Sequence, residues 1–136
     1  LRAVLDVNVL ISALLSPTGA PARLLLAWQS GGFELLVSPA LLAELARALA
    51  YPKVRRLVPA PDADAFVAWL ERFATAAPDP DHAPSFSSVD PDDDYLLALA
   101  ADQHAVLVSG DSHLLALAAD LPVLPPARFL ALLAER

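Results

Sequence analysis

Asp6, Glu44, the run Asp92-Asp93-Asp94 and Asp111 are acids set among apolar residues or at the edges of apolar runs. Asp6 interrupts AVLDVNVLI together with Asn8, Glu44 lies inside LLAELARAL, and Asp111 directly follows VLVSG. A buried charge without a partner is costly, so each position needs a reason. Taken singly, each has an ordinary one. Asp6 can cap a helix, Asp92 or Asp93 can cap or complement the dipole of the helix that follows, Asp111 can be the turn residue of SGDS, and Glu44 can face solvent. None of these explains why every position is an acid. A hard divalent cation does: Mg²⁺ or Mn²⁺ takes oxygen ligands and keeps several waters. Such ions activate water for in-line displacement at phosphorus, commonly as a pair roughly 3.5–4 Å apart.

The elements that must carry these acids follow from hydropathy and breakers. Residues 3–11 are short, apolar and β-branched and read as a strand, which would put Asp6 and Asn8 on one face. Ser16, Pro17, Thr18, Gly19 and Pro21 mark a break; ARLLLAWQS then forms a helix stopped by Gly31-Gly32. FELLVS (33–38) is the next strand, followed by a helix with Ser38 as N-cap, Pro39 at its first position and Pro52 closing it. Residues 60–78 form an amphipathic helix with Phe66, Trp69, Leu70 and Phe73 on its apolar stripe. After a polar, Pro-rich loop over 79–94 come a helix (DDYLLALAADQH), a strand (105–111), a short helix (SHLLALAADLP), a short strand (PVLP) and a last helix (PARFLALLAER).

Strands alternating with helices imply an α/β fold: a three-layer α/β/α arrangement with a central, mostly parallel sheet and helices on both faces. Residues 1–136 read as a single domain, since the length suits one core and the longest loop is too short for a linker. In such sheets ligands bind beyond the carboxyl ends of the strands. Asp6, Asp111 and the Asp92–Asp94 run are expected at that edge.

Composition narrows the class. The hydrophobic share is 57% and the charged share 18%, the excess being mostly Ala and Leu, which favours helices with large buried faces. There is no cysteine, which excludes disulfides and thiolate chemistry and fits a cytoplasmic location. No uncharged apolar run is long enough to span a bilayer, and Arg2 with Asp6 does not make a signal peptide, so no membrane partner is expected. A net charge of −7 argues against nucleic acid at first sight, but a cation held by the acids inverts the charge locally.

LDVNVLISAL, the Glu within LLAELARAL followed by YPKV, DPDDDYLLALA and LVSGDSHLL together resemble the PIN-domain ribonucleases, and within them the toxin components of toxin–antitoxin systems. The resemblance spans nearly the whole chain with the motifs in order. It implies a Mg²⁺- or Mn²⁺-dependent endonuclease, a hydrolase of RNA phosphodiesters, with one or two ions. Carried over by position, Asp6, Glu44 and Asp94 match the core acids and Asp111 the fourth, with Asp92 the alternative to Asp94 within the run. Asn8 and Ser12 match polar companions of the first acid, and Ser109 the small hydroxyl residue before the fourth. His113 departs from the basic or acidic residue frequent at its position. By the same resemblance Asp6, Asp94 and Asp111 would hold the ions, with Glu44 a further ligand or a base acting through water. The partners implied are RNA, an antitoxin and a second copy in a homodimer, for which Trp28, Trp69 and Phe129 offer apolar surface if they are not core. Lys53, Arg55 and Arg56 form the one basic cluster: an RNA or partner contact, or a solvated helix end.

Rival readings differ by named residues. A calcium loop starting at Asp90 would need Gly where Tyr95 stands and Glu where Ala101 stands. Phosphoaspartate enzymes would need a second Asp at Asn8 and a Lys that GDSHLL lacks, and a Mg²⁺-binding receiver-like regulatory domain needs a late Lys, absent after Lys53. A catalytically weak PIN-fold binding module remains the other alternative, and Mn²⁺ titration separates it.

Overall fold

The computed structural model describes residues 1–81, 94–118 and 122–135. Its strands are β1 (Arg2–Leu5), β2 (Glu34–Val37), β3 (Thr75–Ala76), β4 (Val106–Val108) and β5 (Val123–Leu124). Its helices are α1 (Val7–Leu15), α2 (Ala20–Gln29), α3 (Pro39–Leu49), α4 (Pro52–Arg55), α5 (Ala60–Phe73), α6 (Asp94–Asp102), α7 (Ser112–Leu115) and α8 (Pro126–Ala134). The strands form one sheet in the order β3-β2-β1-β4-β5, and every neighbouring pair is parallel. Ala3, Val4 and Leu5 of β1, Leu35, Leu36 and Val37 of β2, and Leu107 and Val108 of β4 are all buried, as strands covered on both faces require.

The strand order also places the helices. From β1 to β2 to β3 the chain moves steadily one way, so right-handed crossovers put α1, α2, α3 and α5 on one face. Between β3 and β4 it returns past β2 and β1, which puts α6 on the other face. The packing agrees: α1 touches α2 and α3, α3 touches α5, and α8 joins that layer against α2, whereas α6 lies on β1 and β4. The result is a three-layer α/β/α fold. The reversal makes the gap between β1 and β4 the topological switch point, where open α/β sheets bind ligands.

The structure alters some of these expectations and settles one that the sequence left open, the place of Phe129. The strand expected over 3–11 stops at Leu5, and Asp6 starts a helix instead. Asp6 and Asn8 therefore do not share a strand face: Asp6 is buried and Asn8 is exposed. The β-branched run disfavours a helix only weakly. Val7, Leu10 and Ile11, at helical spacing, gain burial that outweighs it. The segment expected as one helix over 60–78 ends at Phe73, and Thr75–Ala76 turns into edge strand β3 beside Leu36–Val37. Pro52, expected to close the preceding helix, opens the one-turn α4. Phe129 is fully buried in an edge-to-face pair with Phe33 at 5.2 Å, so it belongs to the core and offers no surface. Trp28 and Trp69 are half-buried against each other, 5.1 Å between ring centres.

Candidate metal centre

Asp6 is the first residue past β1, and Ser109 the first past β4. Register pairs Leu5 with Val108, and the Asp6 amide continues the ladder to the Val108 carbonyl at 3.0 Å. Asp6 and Ser109 thus stand side by side at the switch point, both buried. Asp6 Oδ1 accepts the Val9 amide at 2.9 Å, which caps α1, while Oδ2 accepts the Ser109 hydroxyl. The Ser109 Oγ in turn accepts the Asp111 amide at 3.0 Å, tying the third residue into the same network. Asp111 caps α7 through Oδ1 and the His113 amide at 2.8 Å. Among the described residues, its Oδ2 has no hydrogen-bond partner.

The electrostatics of this corner are one-sided. Burial pushes the Asp6 carboxyl above its ordinary value, and the nearby Asp111 charge adds to that push. Hydrogen bonds from Ser109 and from the Val9 and Asn8 backbone oppose it without prevailing. Among the described residues no Lys, Arg or His forms an ion pair with Asp6 or Asp111. The ordinary capping roles considered for both acids are therefore real, yet they leave the negative charge uncompensated.

Glu44 is half-buried midway along α3, between the buried Leu41 and Leu45. Its Oε2 accepts the hydroxyl of Tyr95. Tyr95 follows Asp94, the half-buried first residue of α6. The expected convergence thus takes the form of two groupings: Asp6–Ser109–Asp111 at the strand ends, and Glu44–Tyr95 at the start of α6. Among the described residues, no three His, Asp or Glu side chains stand close enough to hold one ion between them. Asp92 lies outside the described residues.

The remaining expected residues are placed as follows. Asn8 and Ser12 are exposed one turn apart on α1. His113 is exposed in the short helix α7. Lys53 and Arg56 are exposed, and Arg55 is half-buried in a cleft of about 200 Å³ beside Asp64 and Glu71. Because α3 starts at the carboxyl end of β2 and runs back along the sheet, its end, followed by α4, lies at the amino edge. The basic cluster is therefore set apart from Asp6 and Asp111 by roughly the length of α3, ~16 Å. Two residues went unnoticed in the sequence. Tyr95 had one signal, a polar-tipped ring in an otherwise apolar helix. Asp79 had none: its carboxylate accepts the Ala40 amide at 3.1 Å from 39 residues away, at the start of α3.

Acids just past the first and fourth strands of a 3-2-1-4-5 parallel sheet place a candidate ligand site at the carboxyl edge of an open α/β fold. The PIN domain family model matches residues 2–113, and the chain belongs to that family. It thereby has a nuclease-type fold of a kind that typically binds divalent metals. Among solved structures it is similar to PAE2754 from Pyrobaculum aerophilum, at a TM-score of 0.66 and 18% identity, with 100% of this chain and 91% of that one covered. That likeness is one of fold. Comparison with curated proteins gives no significant match.

Proposed function

We propose that this protein is a Mg²⁺- or Mn²⁺-dependent endoribonuclease whose centre is built on Asp6 and Asp111. The observation that carries the reading is the buried Asp6 carboxylate, clasped by Ser109 and raised in pKa beside a second acid, with no cationic side chain paired to either among the described residues. The donor set fits a hard cation, being oxygen throughout, and two carboxylates suffice for an ion that retains water. Asp6 and Asp111 would hold it, with Asp94 and Glu44 contributing from the start of α6 and from α3. When bound, such an ion supplies an activated water and charge neutralisation at the phosphate. The protein's own part is positional: Ser109 orients Asp6, and the α1 amide at Val9 keeps its other oxygen fixed.

Neutralising this corner also makes an RNA substrate compatible with a net charge of −7. Lys53, Arg55 and Arg56 would contact the RNA only where it extends away from the acids. The role of toxin in a toxin–antitoxin pair, acting as a homodimer in the cytoplasm, is supported by the sequence motifs alone. A binding module with little catalysis is the second reading. It is favoured by the absence, among the described residues, of three acids close enough to share one ion.

The deciding experiment is cleavage of single-stranded RNA with Mn²⁺ or with chelator, using wild-type, Asp6→Asn and Asp111→Asn proteins. Loss of a metal ligand should exceed the effect of losing its supporting group, so each variant should lose more than ~100-fold in rate while remaining folded. Full Mn²⁺-dependent activity in Asp6→Asn overturns the assignment. Mn²⁺ binding without cleavage by the wild type selects the binding module.

A further inference from the structure

α3 and α6 belong to opposite layers of the fold, yet the Tyr95 hydroxyl of α6 donates to Glu44 Oε2 of α3. Glu44 is an acid with buried leucines on either side of it in α3, and half-buried as it is, its carboxylate needs a donor. Tyr95 is suited to be that donor. Its ring packs against the hydrophobic core, so the hydroxyl is delivered by a side chain with few torsions left to fix. It stands in the first turn of α6, so the bond ties Glu44 of α3 to that turn.

We propose that Tyr95 is a positioning residue: its hydroxyl holds the Glu44 carboxylate in a fixed orientation, ready to share in divalent-cation binding. The inference rests on the metal-dependent reading above and adds to it a residue that is not itself an acid. A hydrogen bond to an ionised carboxylate is stronger than a neutral one and fixes orientation. Supporting groups of this kind commonly change metal affinity by tens of fold. Tyr95 contacts the carboxylate, so its effect on metal binding should pass through Glu44.

The test is a double-mutant cycle of Tyr95→Phe and Glu44→Gln, read as Mn²⁺ affinity by calorimetry and by the spin-resonance signal of bound Mn²⁺, with thermal melting alongside. Tyr95→Phe keeps the ring and the core packing, so it should fold. It should bind Mn²⁺ roughly 10-fold more weakly than wild type. Glu44→Gln should weaken binding at least as much, and adding Tyr95→Phe to it should change affinity by less than about twofold. Unchanged Mn²⁺ affinity in Tyr95→Phe, even with a lowered melting temperature, means that Tyr95 only fastens two helices, and overturns the proposal. Independent, additive losses overturn it as well. Wild-type protein that binds no Mn²⁺ removes the metal-dependent reading itself, and this proposal with it.

Discussion

At the amino edge of the sheet, β1 begins with Arg2, whose charge is answered by its surroundings. Its guanidinium donates to the Gln103 carbonyl at 2.9 Å and to the Gln103 side-chain oxygen at 3.2 Å, and lies 3.6 Å from Glu34 Oε1 on β2. One strand-length away, at the carboxyl edge, Asp6 ends the same strand with a hydroxyl, an amide and a second acid for company. Arg2 is a little over one-third exposed and paired, so it can stay charged at small cost. Asp6 is 5% exposed, and its charge is opposed by burial. A structural charge is matched by fixed neighbours of opposite sign. Among the described residues, Asp6 has uncharged donors but no such partner, which is where the proposed cation would act.

The comparison breaks most readily at Ser109. Ser109→Ala removes the donor to Asp6 Oδ2 and the acceptor for the Asp111 amide. It should cost about 1–3 kcal/mol in stability, read by denaturant unfolding. Mn²⁺ affinity should fall by ~10- to 100-fold in the same protein. Unaltered Mn²⁺ affinity would mean that the network at this edge is as purely structural as the one around Arg2.

A smaller effect, with a definite sign, is expected from pH. Burial holds the folded pKa of Asp6 above the ordinary carboxylate value, so between the two the native state holds more protons than the unfolded chain. Its contribution to stability is therefore full at low pH and falls as pH rises through the folded pKa. In metal-free buffer, the stability of wild type relative to Asp6→Asn should decline as pH rises from the ordinary carboxylate range through the raised folded pKa. Mn²⁺ should restore it at the upper end. A difference that is flat with pH, or that rises, would contradict a carboxylate held against its preference.

The smallest change belongs to the other edge. Arg2→Met removes a partly exposed ion pair and should lower stability by about 1 kcal/mol or less. Mn²⁺ binding and RNA cleavage should remain at wild-type levels, which sharpens the contrast. A loss of Mn²⁺ binding in this variant would show that the two edges are coupled.

Much of the fold was legible because its signals are local. Ser38 followed by Pro39 announces the start of α3 and is found there, with the Ser38 Oγ accepting the Leu41 amide at 3.3 Å. The apolar runs ELLV and VLV are strands, and the pattern of strand then helix implies parallel pairing. The run around Asp6 misled because β-branched residues suit strand and buried helix alike, and only the packing of α1 against α2 and α3 decides between them. The two-residue strand β3 was invisible because its pairing to β2, not its composition, makes it a strand.

Sequence alone determined which residues carry negative charge into apolar surroundings and that two of them, Asp6 and Asp111, follow strand ends, because hydropathy, capping and turn chemistry act over a few neighbouring residues. Tertiary structure decided the rest: the register that sets Asp6 beside Ser109, the reach of Tyr95 to Glu44 across 51 positions, and the placement of Lys53, Arg55 and Arg56 at the far edge. Those outcomes depend on strand order and crossover hand, which join segments distant along the chain and leave no mark in the local pattern of either one.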